Sequence, residues 1–437
     1  MFFDSDESVS ETGSWMKFVH AADLHLDSPL LALSRREPRQ VERMRRASRE
    51  AFERMIDLCI EREVALLVLA GDLYDHDRPN MQIAVFLRSQ LKRLEQKGIR
   101  AVIIKGNHDA DNKITSALAL PANTRILSEQ KPETITFDDQ QVRVAVHGQS
   151  FRPGPIAENL AASYPAALRG HYNIGVLHTS LARTSDHDVY APCTLEELTT
   201  RGYDYWALGH IHQRAVLSRD PYVIFPGNLQ GRHAKESGPK GCFLVEVDDA
   251  GRTVSAEFTP LDIVRWHRAE VDLTGRNIEA ELVEVIRGAL AQAHRDGDGR
   301  PGAIRLVLTG RTSLYQHIER RPHRLRQTML ELAAEIAGDD IWIEKIVNST
   351  APPGERADAV PNDEAHDLIG IMQEIAGNAE LIGPLLAKEL EPLQSKLPGE
   401  LKELPSLKLI EAPGLCREAL ERLRPRLAAR LAAEEDA

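Results

Sequence analysis

The sequence lacks the features of membrane, secreted and disulfide-stabilised proteins. Its longest uninterrupted apolar run, VALLVLAG, is far shorter than the roughly 20 residues of a membrane span. The acidic first fifteen residues have neither the basic nor the apolar region of a signal peptide, so we expect a disordered leader over residues 1–15. The four cysteines lie far apart without a CxxC pair. This spacing argues against a zinc ribbon or a disulfide framework and predicts a cytoplasmic protein.

The sequence also lacks the net positive charge that is typical of nucleic-acid-binding proteins. Its formal net charge is −12. This balance does not exclude such binding, because acidic metal ligands add negative charge that bound cations would cancel. The 437 residues, 42% of them hydrophobic and 27% charged, are typical of a globular protein with two or three domains.

From Lys17 to about Pro260 short apolar runs end abruptly in polar, glycine-rich residues. Several runs are almost continuously apolar, as strands covered on both faces are. Helical segments at 39–63 and 81–97 separate the early ones. We therefore predict two central sheets flanked by helices, with mixed strand pairing. The predicted strands are KFVHAA, VALLVLAG, AVIIKG, VRVAVHG, NIGVLH, YWALGH, YVIFPG and CFLVEV.

After Pro260 the pattern changes to a β-α-β-α-β unit of a size that suits a separate small domain. The strands are RWHRAEVDL, AIRLVLTG and DIWIEKIV, and the helices are 278–294 and 324–337. The segment APPGERADAVPNDE then indicates a linker, and the remainder is helical and broken by prolines. The predicted domains are therefore 16–262, 263–350 and a linker with a helical region over 351–437.

Five polar elements follow predicted strands, where sites form in open α/β sheets. Each element alone is weak, but five in this order are hard to ascribe to chance. The candidates are DLH (Asp23, His25), GD (Asp72), GNHD (Asn107, His108, Asp109), LH (His178) and GHIH (His210, His212).

These residue types suit a pair of divalent cations. Two cations roughly 3.5–4 Å apart repel each other unless an anion bridges them, and Asp72 is the candidate bridge. In an extended strand end, residues i and i+2 point the same way, so both members of DLH and of GHIH can reach one centre. Mixed nitrogen and oxygen ligands favour manganese, iron or zinc over magnesium or calcium.

This ordered set resembles the calcineurin-like metallophosphoesterase superfamily, whose motifs are D-x-H, G-D, G-N-H-D/E, H and G-H-x-H. The match covers roughly Lys17 to Val247. The resemblance implies hydrolysis of phosphoesters by water activated by two metals, most typically Mn²⁺, with Fe²⁺ or Zn²⁺ as alternatives. It assigns one metal to Asp23, His25, Asp72 and His212, and the second to Asp72, Asn107, His178 and His210. It assigns His108 to the scissile phosphate and leaving oxygen, with Asp109 orienting it.

Within the superfamily the chain looks like the DNA-repair exonuclease branch of SbcD-like and YhaO-like proteins. Phosphoprotein phosphatases carry GDxVDRG and GNHE, whereas this chain has GDLYDHD and GNHD. The segments HAADLHLDSPL, GHIHQ and FPGNLQGRHAKESGPKGCFLVEV also resemble the exonuclease branch. The branch implies a four-layer αββα sandwich, a small α/β capping domain, a helical C-terminal region, a homodimer and an SbcC-type coiled-coil ATPase partner. Some relatives have a histidine where this chain has Asp75, so a nuclease role for Asp75 is doubtful.

Two arginine clusters are candidates for contacts with DNA phosphates. The segment 35–50 has seven arginines and three glutamates, and a solvated helix face explains it equally well. The segment 317–327, in the predicted cap, has four arginines and one glutamate, and we favour DNA contact there. Its arginines are Arg320, Arg321, Arg324 and Arg326.

The last segment carries an apolar stripe at helical spacing. Pro425 lies inside it and predicts a kink or two short helices. The stripe packs against the chain's own body or docks a partner's coiled coil, and the two interpretations stay open. Its members are Cys416, Leu420, Leu423, Leu427 and Leu431.

The sequence therefore predicts a metal-dependent DNA exonuclease or endonuclease of the repair type. One alternative is a phosphodiesterase or phosphatase that acts on nucleotides or small molecules. The other is a catalytically weak DNA-end-binding subunit of an ATPase complex. The complete motif set argues against a lapsed site, and the predicted cap and tail argue against a small-molecule enzyme.

Overall fold

The computed structural model describes residues 16–28, 38–74, 81–110, 119–139, 142–154, 156–181 and 190–353. These residues divide into two compact units. The first comprises the described residues up to 268 together with 293–304, and the second comprises 269–292 and 305–353. None of the helices in the described ranges is long and apolar enough to cross a membrane.

The first unit contains two six-stranded sheets. Its strands are β1 (Met16–Ala21), β2 (Leu66–Ala70), β3 (Arg100–Ile104), β4 (Thr124–Ile126), β5 (Glu133–Asp139), β6 (Val142–Gly148), β7 (Tyr172–His178), β8 (Tyr205–Gly209), β9 (Ala215–Arg219), β10 (Tyr222–Phe225), β11 (Gly241–Val247) and β12 (Thr253–Pro260). Their order is β12-β11-β1-β2-β3-β4 in the first sheet and β5-β6-β7-β8-β10-β9 in the second.

Strand pairing is mixed in both sheets, as predicted. In the first sheet β1, β2, β3 and β4 pair in parallel, whereas β11 pairs antiparallel with β1 and with β12. In the second sheet β6, β7, β8 and β10 pair in parallel, and β5 and β9 add antiparallel edges. The parallel pairing brings the carboxyl ends of β1, β2 and β3 to one edge of the first sheet. It brings the carboxyl ends of β7 and β8 to one edge of the second sheet.

The two sheets pack face to face around one apolar core. Phe18, Leu66 and Val68 of the first sheet belong to the same buried cluster as Val144 and Ile174 of the second. Helices α1 (Pro38–Glu61) and α2 (Met81–Glu95) pack with each other, α1 against β11 and α2 against β3. A second buried cluster joins the second sheet to a short 3₁₀ helix, Leu160–Ser163, and to α3 (Leu195–Thr199). These layers form an αββα sandwich, the architecture that the resemblance implies.

Four strands of the first unit were not predicted, namely β4, β5, β9 and β12. The reason is local: β5 and β12 alternate between partly buried and exposed positions, and β4 has only three residues. Edge strands of this kind lack the continuous apolar runs by which the central strands are recognised.

The second unit is built on most of a three-stranded sheet of order β13-β14-β15, with strands β13 (Arg265–Asp272), β14 (Gly302–Thr309) and β15 (Ile341–Asn348); β13 and β14 begin in residues of the first unit. Its helices are α4 (Glu279–Asp296), α5 (Tyr315–Arg320) and α6 (Pro322–Ala337), and α6 packs against β15. The predicted β-α-β-α-β order is present, with α5 as an additional short helix. The domain bounds 16–262, 263–350 and 351–437 stay predictions, and most of the last lies outside the described residues.

Candidate metal centre

The five polar motifs lie where the parallel strands of the two sheets end. Asp23 and His25 follow β1, Asp72 follows β2, and Asn107 follows β3. His178 is the last residue of β7, and His210 follows β8 directly. The two sheets meet here, because His178 Nδ1 lies 2.9 Å from the carbonyl oxygen of Ala70, the last residue of β2. The structure therefore brings motifs from two sheets to one place.

One group of donors consists of Asp23, His25 and His212. Their ligand atoms lie within 4.8 Å of one another. His25 Nε2 is 3.1 Å from His212 Nε2, and His212 Nε2 is 3.8 Å from Asp23 Oδ1. Asp23 and His25 are buried, whereas His212 is partly exposed. This group contains three of the four residues predicted for one metal.

A second group consists of Asp72, His178 and His210, whose ligand atoms also lie within 4.8 Å of one another. Asn107 adjoins it, because Asn107 Oδ1 is 3.0 Å from His178 Nε2. The rings of His178 and His210 are in edge contact, with centroids 5.2 Å apart. All four residues predicted for the second metal thus come together.

Asp72 lies between the two groups. Its Oδ2 is 3.9 Å from His25 Nε2 and 3.4 Å from His178 Nε2. Its Oδ1 accepts a hydrogen bond of 3.0 Å from the backbone N–H of His108. A Cβ on Gly106 would collide with that same Oδ1, so only glycine permits this close approach. The position of Asp72 is that expected of a bridging carboxylate.

Left-handed backbone, rather than strand alternation, places these side chains. Asp23, His25, Asp72 and His210 have φ values of 52°, 42°, 55° and 96°. Such values are uncommon outside glycine and store strain, which is typical of functional sites. The backbone at these positions is therefore not the extended strand end that was predicted. Asp23 and His25 still reach one group, as expected, whereas His210 and His212 join different groups.

The hydrogen bonds of the imidazoles test whether the donors fit a cation. His178 Nδ1 faces a carbonyl oxygen and must donate, so the neutral ring presents a lone pair at Nε2. That nitrogen faces two further acceptors, Asp72 Oδ2 at 3.4 Å and Asn107 Oδ1 at 3.0 Å. Three acceptors converging on one point repel unless a proton or a cation lies among them. The donor set thus fits a divalent cation with nitrogen and oxygen ligands.

Without a bound cation, shifted pKa values relieve the repulsion between these acceptors. Burial opposes the charged form of His178, but the charge of Asp72 outweighs it and raises the pKa of His178 to about 9. Burial likewise opposes ionisation of Asp72, yet His178 and His25 hold its pKa well below the ordinary range. Burial raises the pKa of Asp23. Bound cations would favour the ionised carboxylates and displace the imidazole protons.

His108 is exposed beside the two groups. Its ring is in edge contact with that of His25, with centroids 5.1 Å apart. Its backbone N–H is tied to Asp72, and its side chain is accessible to a substrate in solution. This placement suits a group that contacts the substrate rather than a metal ligand.

Asp109 is buried and ties the loop after β3 to the loop after β2. Its carboxylate accepts backbone N–H groups of Leu73, Tyr74 and Gly106 at 2.9–3.1 Å. Burial and the nearby charge of Asp72 raise the pKa of Asp109 to about 7 against these hydrogen bonds. Asp109 therefore holds the segments that carry Asp72 and Asn107 in register, in addition to the predicted orientation of His108.

Sequence reasoning missed one acidic residue at the centre, Glu236. Its Oε1 accepts a hydrogen bond of 2.7 Å from His212 Nδ1. It belongs to the segment FPGNLQGRHAKESGPKGCFLVEV, which resembles the exonuclease branch. The segment joins β10 to β11, and these strands belong to different sheets. The only signal was the similarity of the segment to relatives, because Glu236 stands in none of the five motifs.

The remaining candidate residues belong to none of the five motifs, and some lie outside the described residues. Arg46 of α1 pairs with Glu42 at 2.8 Å, and Arg49 pairs with Asp27. Local ion pairs thus account for part of the first arginine cluster. The four cap arginines are exposed on α5, on α6 and between them. Asp75 and the apolar stripe 416–431 lie outside the described residues. The three cysteines that the structure describes, Cys59, Cys193 and Cys242, are buried free thiols.

Comparisons with known proteins cover both units. Residues 16–214 match the family model of calcineurin-like phosphoesterases, and residues 266–351 match that of the middle domain of the metallophosphoesterase YhaO. The chain is 37% identical over 297 residues to the uncharacterized metallophosphoesterase YhaO of Bacillus subtilis, covering 68% of this chain and 72% of that protein.

Two further relatives have names that state a role in DNA metabolism. The chain is 30% identical over 300 residues to the DNA double-strand break repair protein Mre11 of Methanopyrus kandleri, which covers 62% of each protein. It is 23% identical over 313 residues to one subunit of the nuclease SbcCD of Staphylococcus saprophyticus, covering 64% of this chain and 76% of that protein.

Proposed function

Because the chain belongs to the calcineurin-like metallophosphoesterase family and is therefore a metal-dependent phosphoesterase, we propose that it is a DNA nuclease of the repair type. The main observation in support of this proposal is the arrangement of two donor groups around Asp72, with His108 exposed beside them. The relatives named as Mre11 and as a subunit of SbcCD nuclease support DNA as the substrate.

The proposed ligands are Asp23, His25, Asp72, Asn107, His178, His210 and His212, with Mn²⁺ as the metal and Fe²⁺ or Zn²⁺ as alternatives. Bound cations would supply an activated water and neutralise charge on the phosphoryl oxygens. The chain's own residues orient the reaction. Asp72 and Asp109 fix the two loops, and the exposed His108 stabilises or protonates the leaving oxygen.

The test is His108→Asn, assayed on linear DNA with Mn²⁺. We expect cleavage to fall about 10²–10⁴-fold, the contribution of a positioned acid or base, while Mn²⁺ binding is retained. His171→Asn is the matched control, because this histidine lies just before β7, where its Nδ1 contacts the Arg169 carbonyl oxygen. Equal cleavage by the wild type and His108→Asn contradicts the proposal.

The same assay separates the alternatives. An activated phosphodiester and a set of nucleotides are supplied beside single- and double-stranded DNA. Hydrolysis of the small substrates without DNA cleavage favours a phosphodiesterase or phosphatase. Binding of DNA ends without any hydrolysis favours a catalytically weak subunit.

We also propose, from the same relatives, a homodimer and an SbcC-type coiled-coil ATPase partner docked through the C-terminal region, which is predicted to be helical and lies outside the described residues. Deletion from Leu415 onward should abolish co-purification with such an ATPase while nuclease activity on short DNA persists. Retained co-purification of the truncated chain contradicts this docking site.

A further inference from the structure

The segment between β10 and β11 returns the chain from the second sheet to the first and passes behind His212. Glu236 lies on this segment and is only 6% exposed. A buried carboxylate is stable only where donors surround it. Its partners therefore show what the segment is built to hold.

Donors surround both oxygens of Glu236. Oε1 accepts from His212 Nδ1 at 2.7 Å and from Arg232 Nη2 at 3.2 Å. Oε2 accepts from the backbone N–H of Arg232 at 2.7 Å and from Asn228 Nδ2 at 2.9 Å. These four contacts fix the position of the carboxylate and direct Oε1 at His212.

This carboxylate dictates the tautomer of His212. Because Glu236 can only accept, the proton of the neutral imidazole lies on Nδ1. Arg232 Nη2 also lies 3.1 Å from Nδ1, but it has Glu236 Oε1 as its acceptor at 3.2 Å. The lone pair on Nε2 of His212 then points toward His25 Nε2, 3.1 Å away, and toward Asp23 Oδ1, 3.8 Å away.

The two donor groups differ in what lies behind their histidines. His178, in the second group, donates from Nδ1 to the neutral carbonyl oxygen of Ala70. His212, in the first group, donates to a charged carboxylate. A carboxylate makes the imidazole a more basic ligand than a carbonyl does, and such partners typically change metal affinity 10–100-fold.

We propose that Glu236 is a positioning residue that selectively strengthens the metal position formed by Asp23, His25 and His212. This inference rests on the metal-dependent hydrolysis proposed above. It adds that Glu236 acts on one of the two metal positions, because the histidine that it contacts, His212, belongs to the first donor group.

The first experiment is a calorimetric Mn²⁺ titration of the full chain with Glu236→Gln. Glutamine keeps the size of the side chain but removes the charge and one acceptor. We expect one of the two Mn²⁺ equivalents to bind about 10–100-fold more weakly and the other to keep its affinity. The control is Glu344→Gln, which removes a buried carboxylate 2.8 Å from Arg305 and should leave both equivalents unchanged.

The second experiment reads the tautomer of His212 by ¹⁵N NMR of the metal-free, histidine-labelled protein. The resonance is assigned by its loss in His212→Asn. We expect the Nδ1–H form in the wild type and a mixture in Glu236→Gln. Glu236→Asp, which keeps the charge on a shorter side chain, should restore part of the Mn²⁺ affinity, whereas a purely structural role for Glu236 predicts no such rescue.

Three results overturn the inference. They are an Nε2–H tautomer in the wild type, unchanged Mn²⁺ binding by folded Glu236→Gln, and equal weakening of both equivalents. The wild-type NMR result decides the matter even where the variants do not fold. Neither readout depends on DNA cleavage, so an inactive wild type with Glu236-dependent Mn²⁺ binding would refute the proposed substrate and leave this inference standing.

Discussion

Replacing Asp72 by Asn is the most direct test of a bridged metal pair. The carboxylate is 1% exposed and lies 3.4 Å from His178 of one group and 3.9 Å from His25 of the other. Asparagine has the same shape, and its amide oxygen can still accept the backbone N–H of His108. The substitution therefore removes the negative charge between the two positions with little change in packing.

The expected magnitude follows from linkage between metal binding and folding. A ligand that binds only the folded state stabilises it by about 2.7 kcal/mol when present at 100 times its Kd. Two Mn²⁺ ions at that excess should together raise the free energy of unfolding of the wild type by about 5 kcal/mol. Without a bridging charge the two cations repel each other, so Asp72→Asn should hold at most one of them and gain no more than about half as much free energy of unfolding from Mn²⁺.

The assay is urea denaturation with and without Mn²⁺, and the quantity compared is the gain on adding metal. The metal-free baseline must be measured for each variant, because Asp72→Asn also removes the charge that raises the pKa of His178 to about 9. Glu344→Gln serves as the control and should keep the full gain. A gain equal to that of the wild type refutes a bridging role for Asp72.

Two further predictions concern other parts of the chain. Replacing the exposed cap arginines Arg320, Arg321 and Arg324 with alanine should weaken DNA binding and reduce the slope of log affinity against log salt by up to about 3. An affinity that is unchanged across the salt titration would exclude this surface as a DNA contact. Burial lowers the pKa of His20 from 6.5 to about 3, so the unfolded state gains a proton first as pH falls. Relative to His20→Gln, the wild type should lose stability from about pH 6.5 toward 3 by up to about 1.4 kcal/mol per pH unit, and parallel denaturation curves would exclude this.

Much of the fold could be predicted because its central strands are buried on both faces. The strands β2 and β7 are buried at every position, and β2 is a continuous apolar run. The half-exposed β5 and β12 are not, because an edge strand with one solvated face has a mixed composition. Which strands share a sheet was also beyond the sequence: β10 and β11 are neighbours along the chain but lie in different sheets.

The sequence by itself determined the chemistry of the site, because the residue types of the five motifs and their positions after strands are local properties. The family resemblance also gave the division of the donors between two metals, but only the tertiary structure shows its physical cause. His210 and His212 are two residues apart, yet the left-handed backbone at His210 sends them to different groups. The tertiary structure also places Oε1 of Glu236 2.7 Å from Nδ1 of His212, a residue 24 positions earlier in the chain. No motif encodes that contact, because it arises where the chain crosses from one sheet to the other.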